Sequence, residues 1–115
     1  FIEPDEAAIA MAAKLGAPVV ELHTGAWCDA VAQGEGMRAE MEHARLVEGA
    51  EIAARSGLEV HAGHGLDYAT ARRLARAPHF VEFNIGHFLI GEAVFIGLEA
   101  AIRRMRAAMD EGRVS

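Results

Sequence analysis

The chain has 115 residues, 11 of them basic and 17 acidic, for a net charge of −6. Apolar residues make up 52% and charged residues 24%, with only three prolines, which excludes disordered, collagen-like and low-complexity chains and fits one domain with a real core. The acidic balance argues against a nucleic-acid partner, because a negative surface repels the backbone that supplies most of the affinity, although a local site can still hold a phosphate.

Phe1-Ile2 reads as the end of a strand, and with no initiator methionine the chain is expected to be processed or part of something longer. Pro4 suits a first helical turn, Asp5 and Glu6 stand where a helix N-terminus favours acids, and Ala8, Met11, Ala12 and Leu15 mark one face before Gly16 ends the run. Pro18 leads into a short strand, Val19-Val20-Glu21-Leu22. The stretch from His23 to Gly36 holds three glycines and no clean period, which predicts a loop of functional length. A long helix is predicted from about Met37 to Arg55, burying Leu46, Val47, Ala50, Ala53 and Ala54, and Ser56-Gly57 ends it.

Leu58 to Ala62 is the next predicted strand, followed by a tight Gly63-His64-Gly65 turn. Asp67 caps a short helix through Ala75, and Pro78 closes that connection. His79 to Asn84 is the last strand, Ile85-Gly86-His87 turns out of it, and an apolar segment runs from Phe88 to Ile96. Leu98, Ala101, Ile102, Met105 and Met109 stripe the final helix. Strands alternating with helices predict an α/β fold with a parallel sheet and right-handed crossovers, with no internal domain boundary.

The strands carry polar residues where one face should be apolar. Val20 and Leu22, then Leu58, Val60 and Ala62, then Val81 and Phe83 suit the helix-covered side. The opposite side collects Val19, Glu21 and His23, then Glu59, His61 and Gly63, then Glu82 and Asn84. A buried carboxylate without a partner costs several kcal/mol, as an order of magnitude, so a persistent polar face is what a polar substrate cavity needs. In an open sheet the same residues face solvent or pair with one another, and Glu59, at the start of its strand, suits a structural role.

Each strand ends in a glycine-containing turn with an imidazole: His23-Thr24-Gly25, Gly63-His64-Gly65 and Gly86-His87. Gly86 with His87, just before a helical segment, suits a phosphate cup of converging amides. His64, between two glycines at a strand end, suits a proton donor, and Glu21 suits the stabilisation of a cationic intermediate or the orientation of a hydroxyl. The bland readings are a solvent-facing loop histidine and an ion-paired glutamate.

No metal site is expected, since the histidines lack the compact spacing of a ligand set and Cys28 sits alone. Cys28, the single cysteine, cannot form an internal disulfide and points to a reducing compartment. Without a basic segment leading an apolar run, or an apolar stretch near the roughly 20 residues of a membrane span, a cytoplasmic protein with no membrane partner is expected. His43 and His79 read as surface or boundary residues, and Trp27 as loop packing or a cover for ligand. Met37, Met41, Met105 and Met109 read as helix packing, and Arg103, Arg104 and Arg106 as a solvated face. No dinucleotide fingerprint or P-loop occurs.

Taken together, Glu21-Leu22-His23-Thr24-Gly25, Ala62-Gly63-His64-Gly65-Leu66 and Asn84-Ile85-Gly86-His87 resemble three signature segments of the pyridoxine 5'-phosphate synthase family. Ala93-Val94-Phe95-Ile96-Gly97-Leu98-Glu99 resembles that family as well, so the likeness runs along the whole chain. The resemblance implies a (β/α)₈ TIM barrel that condenses 1-deoxy-D-xylulose 5-phosphate with 3-amino-2-oxopropyl phosphate, releasing phosphate and water, with no metal or organic cofactor.

By resemblance His64 is the proton donor, Glu21 the transition-state stabiliser, Gly65 a substrate contact, and Gly86 and His87 the phosphate-holding pair. His61 stands where asparagine is common in the family, and Phe88 where a small residue is common. A whole barrel takes roughly 250 residues. Residues 1–115 are therefore expected to be its C-terminal half, from the end of strand 5 through helix 8, without the N-terminal half that supplies a base histidine and a second glutamate. The partners implied are phosphorylated small molecules, the missing half-barrel, and further copies of the chain in an assembly built from dimers, commonly an octamer. The alternatives are another phosphate-handling barrel isomerase or lyase, and a non-catalytic phosphate-binding half-barrel. A Schiff-base aldolase is disfavoured, because the only lysine, Lys14, lies in a helix.

Overall fold

The computed structural model describes residues 1–115. In chain order the elements are α1 (Glu6–Lys14), β1 (Val19–His23), α2 (Gly25–Ala32), α3 (Gly36–Arg55), β2 (Glu59–Gly63), α4 (Tyr68–Leu74), β3 (Phe80–Asn84), α5 (His87–Ile96) and α6 (Leu98–Val114). The strands form one parallel sheet in the order β1-β2-β3. Ile2 continues that order as an isolated parallel bridge to Leu22, its N–H donating to the Glu21 carbonyl while its own carbonyl accepts from the His23 N–H.

Helix starts follow their capping chemistry. The Asp5 carboxylate accepts from the Ala8 N–H at 2.8 Å, which opens α1 right after Pro4. Asp67 and Thr70 form a reciprocal capping box that opens α4. Val20, Leu22, Leu58, Val60 and Ala62 are buried under the helices, as their alternation requires.

The third strand departs from its expected pattern. Val60 stands opposite Phe80 but His61 stands opposite Glu82, so the register shifts by one and Val81 has no partner. Phe80 takes the buried place at 1% exposure, Phe83 is partly buried against the core, and Val81 is 63% exposed rather than facing the helices. An extra residue on one strand of a pair rotates the following side chains, and here it keeps Glu82 and Asn84 on the polar side.

Several helical faces also differ from expectation. The stretch from His23 to Gly36 is largely the helix α2, held down by buried Trp27, Cys28 and Ala30. In α1 the buried residue is Ile9, with Ala12 and Ala13 beside it, while Met11 and Leu15 are exposed. Met37 and Met41 are exposed on α3 and do not pack, whereas Met105 is buried in α6. The segment from Phe88 to Ile96 lies within α5, which buries none of its residues. In α6 the buried stripe is Ala101, Met105, Ala108 and Gly112, leaving Leu98 and Ile102 exposed. No helix is long and apolar enough to cross a membrane.

The small residues of α6 set how closely it approaches α4. A Cβ at Gly112 would stand 2.0 Å from the Arg72 carbonyl oxygen and 2.9 Å from the Ala75 Cβ. One residue on, the Arg113 guanidinium donates to the carbonyls of Ala77 (3.0 Å) and Phe80 (2.5 Å), tying α6 to the entry of β3. Gly112→Ala is therefore expected to destabilise the fold by about 1–3 kcal/mol, because the backbone it meets cannot move aside like a side chain. Gly91→Ala, in open space on α5, should be neutral or stabilising by up to about 1 kcal/mol. Thermal unfolding followed by circular dichroism checks both, and an unshifted midpoint for Gly112→Ala would contradict this packing.

Candidate active site

Parallel strands send their carboxyl ends to one edge, and the connections leaving that edge border an open cavity of about 760 Å³. It is lined by Phe1, Glu21, His64, Gly65, Leu66, Asp67, Asn84, Ile85, Gly86, His87 and Phe88. All five residues singled out from the sequence (Glu21, His64, Gly65, Gly86 and His87) are in this wall, although they come from the middle of β1 and from the turns after β2 and β3.

Glu21 reaches up from the middle of β1. Its Oε1 accepts a hydrogen bond from the Asn84 side-chain amide at 2.5 Å. Its Oε2 lies over Gly63, where a Cβ would come within 2.5 Å, so the carboxylate occupies space that only a glycine leaves free. Sequence reasoning placed Asn84 on the polar side without a role. Its bond to Glu21 follows from adjacent rows of the register, His61 pairing with Glu21 on one side and Glu82 on the other.

His64 is exposed and has a positive φ of 87°, a conformation that L side chains rarely adopt. Its ring packs against that of His23, centroids 4.7 Å apart, and Phe1 packs on His23 at 4.7 Å. His23 Nδ1 accepts from the Gly25 N–H at 2.9 Å, so a neutral His23 carries its proton on Nε2. His23 thus supports the site without lining the cavity.

At the third strand end, Gly86 is the N-cap of α5 and brings no side-chain cap, so the first-turn amides and the positive end of the helix dipole open toward the cavity. Phe88 lines the wall beside it and packs edge-on against Tyr68, ring centroids 4.8 Å apart. The Tyr68 hydroxyl donates to Glu92, and Arg104 lies over the Tyr68 ring at 4.7 Å.

Below the cavity His61 bridges two carboxylates, with Nε2 2.8 Å from Glu59 and Nδ1 3.6 Å from Glu82. Glu59 thus has a structural partner within its own strand, while Glu82 stays exposed beside the ring. His43 is half-buried against Trp27, and burial, with Arg73 nearby, depresses its pKa. Trp27, at 1% exposure, packs α2 and does not reach the cavity. Arg103 pairs with Glu99 and Arg106 with Asp110 on an exposed face, where such pairs contribute little.

A carboxylate, an imidazole and an uncapped helix N-terminus at the carboxyl edge of parallel strands define an α/β protein with a site suited to an anionic substrate and to proton transfer. A model of the family described as "Pyridoxal phosphate biosynthesis protein PdxJ" matches residues 1–111, and the chain belongs to that family. It is 65% identical over 115 residues to the pyridoxine 5'-phosphate synthase of Xanthobacter autotrophicus, covering 100% of the chain and 45% of that relative. It is 59% identical over 113 residues to the synthase of that name from Bradyrhizobium diazoefficiens, again covering 45% of it. The chain from Rhodopseudomonas palustris with the same name is 58% identical, with 44% of it covered. The chain thus spans a little under half the length of these relatives.

Cys28 lies behind the His64 turn, and burial pushes its thiol up from 9.0 to about 11. Between these values the unfolded chain loses the thiol proton and the folded chain keeps it, so this group costs stability as pH rises past 9. At pH 8 Cys28 is expected to resist thiol reagents in the folded protein and to react fully once denatured. Timed alkylation read by mass spectrometry checks this; rapid native labelling would show that the α2 packing is open.

Proposed function

We propose that residues 1–115 are the C-terminal half of a (β/α)₈ pyridoxine 5'-phosphate synthase, from the end of strand 5 through helix 8. In this reading the whole enzyme condenses 1-deoxy-D-xylulose 5-phosphate with 3-amino-2-oxopropyl phosphate. The observation that carries the reading is the convergence of Glu21, His64 and the Gly86-His87 turn on one cavity. Family membership and a strand order that follows the chain, from Ile2 to β3, support it.

The geometry is compatible with the division of labour that the family resemblance implies. A substrate phosphate sits at the amino end of α5 on the amides of Gly86 and His87, with Gly65 as a further backbone contact. His64, on an exposed turn, donates a proton to the departing hydroxyl, which leaves as water. Glu21, fixed by Asn84, faces the positive charge that develops as the amino ketone condenses. Proton abstraction from the amino ketone belongs to the base histidine and glutamate of the N-terminal half. That half also closes the sheet by pairing with its two free edges, at Ile2 and β3. The exposed apolar residues of α5 and α6 suit a homo-oligomer, and the synthase reading places the enzyme in the cytoplasm.

The full-length protein is expected to form pyridoxine 5'-phosphate from the two phosphorylated substrates, whereas residues 1–115 alone should not turn over. Product analysis by liquid chromatography and mass spectrometry tests both and also separates the synthase from a phosphate-handling isomerase or lyase. His64→Asn in the full-length enzyme should lower kcat about 100-fold or more while substrate binding, measured by calorimetry, stays within about threefold. Unchanged turnover would remove His64 from the proton-donor role.

A further inference from the structure

The residue that starts α2 does not do what its position suggests. Thr24 is the N-cap of α2, yet its side chain makes no capping hydrogen bond. A threonine there ordinarily accepts from an amide of the first turn. Instead the hydroxyl, on a side chain with 0% exposure, points across to the neighbouring strand end, 2.8 Å from the Gly63 carbonyl and 2.5 Å from the His64 carbonyl.

A hydroxyl has one proton, and the two acceptors are not equivalent. The Gly63 carbonyl already accepts from the Thr24 N–H at 2.9 Å, as the parallel ladder runs on past His23. Of the two contacts the one to the His64 carbonyl is the shorter, so the hydroxyl's closest hold is on the His64 turn. That carbonyl belongs to the start of a backbone with two successive positive φ angles, 87° at His64 and 83° at Gly65. A non-glycine residue keeps such a conformation only where its surroundings hold it. With the ring of His64 leaning on His23 and its carbonyl tied to Thr24, both holds on His64 come from the end of β1.

We propose that Thr24 is a positioning residue for His64: its hydroxyl gives up helix capping to fix the left-handed turn that aims the imidazole into the cavity. The proposal rests on the synthase reading above. Thr24 is outside the cavity wall, so its contribution reaches the reaction only through His64. A misplaced proton donor slows the chemical step while the phosphate contacts of Gly86 and His87 keep binding intact.

The test uses the full-length enzyme with Thr24→Val, which keeps the shape and removes the hydroxyl, and Thr24→Ser, which restores it. Thr24→Val is expected to lower kcat about tenfold or more, with KM for both substrates within about threefold. Thr24→Ser should recover kcat to within about threefold of the parent. The proposal is overturned if Thr24→Val keeps its kcat, if KM worsens as much as kcat falls, or if Thr24→Ser is as slow as Thr24→Val. Should the valine variant not fold, Thr24→Ala against Thr24→Ser decides by the same criteria. His64→Asn separates this proposal from the underlying reading. If His64→Asn is inactive and Thr24→Val is not, only the role of Thr24 falls; if His64→Asn turns over normally, the assignment of His64 itself fails.

Discussion

Parallel pairing in chain order is the constraint on which the site depends. Once Ile2, β1, β2 and β3 lie side by side in the same direction, every connection leaving a strand emerges on one edge. The register then sets rows across the sheet: Glu21, His61 and Glu82 in one, His23, Gly63 and Asn84 in the next. A slip of one residue would turn each of these toward the helices and expose Val20, Leu22, Val60 and Ala62 instead. The burial of the apolar set and the presentation of the polar set are thus one requirement.

Carboxylates and imidazoles are tolerable on this face because they are either partnered or left open to solvent. Asn84 donates to Glu21, and Glu59 and Glu82 flank His61. The absence of a side chain at Gly63 gives the Glu21 carboxylate its room. The irregularity at Val81 serves the same end, since without it the last strand would carry Glu82 and Asn84 to the opposite face. The polar network and the bulge are therefore coupled through the register of β3.

Much of this was legible in the sequence. Alternation placed the buried faces of the first two strands, Asp67 marked the start of its helix, and two of the three glycine-imidazole turns, at His64 and His87, line the cavity. What was not legible depends on partners distant in the chain. The bulge cannot be read from the last strand alone, where Val81 and Phe80 are equally suitable core residues; the pairing with β2 chooses between them. The short helix α2 was hidden because its glycines fall at its two ends, where they resemble loop punctuation. The side of α1 and α6 that packs was misjudged for a related reason. In α6 the close contacts are made by Gly112 and the alanines rather than by Leu98 and Ile102, and in α1 the spacing alone does not choose Ile9 over Met11 and Leu15.

The two faces of the sheet are finished to different degrees. On the helix side Leu22, Val60, Ala62 and Phe80 are each at 1% exposure or less, under helices that belong to this same chain. On the other side Glu59 and Glu82 remain exposed and Val19 keeps 38% of its surface, so nothing within residues 1–115 covers that face. A parallel sheet is ordinarily buried on both sides. The packing that stabilises the strands is therefore local to the chain, whereas in the proposed synthase reading Glu21 would be desolvated by elements laid across the open face. In that reading stability and chemistry draw on different neighbours: the strand-end turns form within residues 1–115, and the proposed N-terminal half excludes water from them.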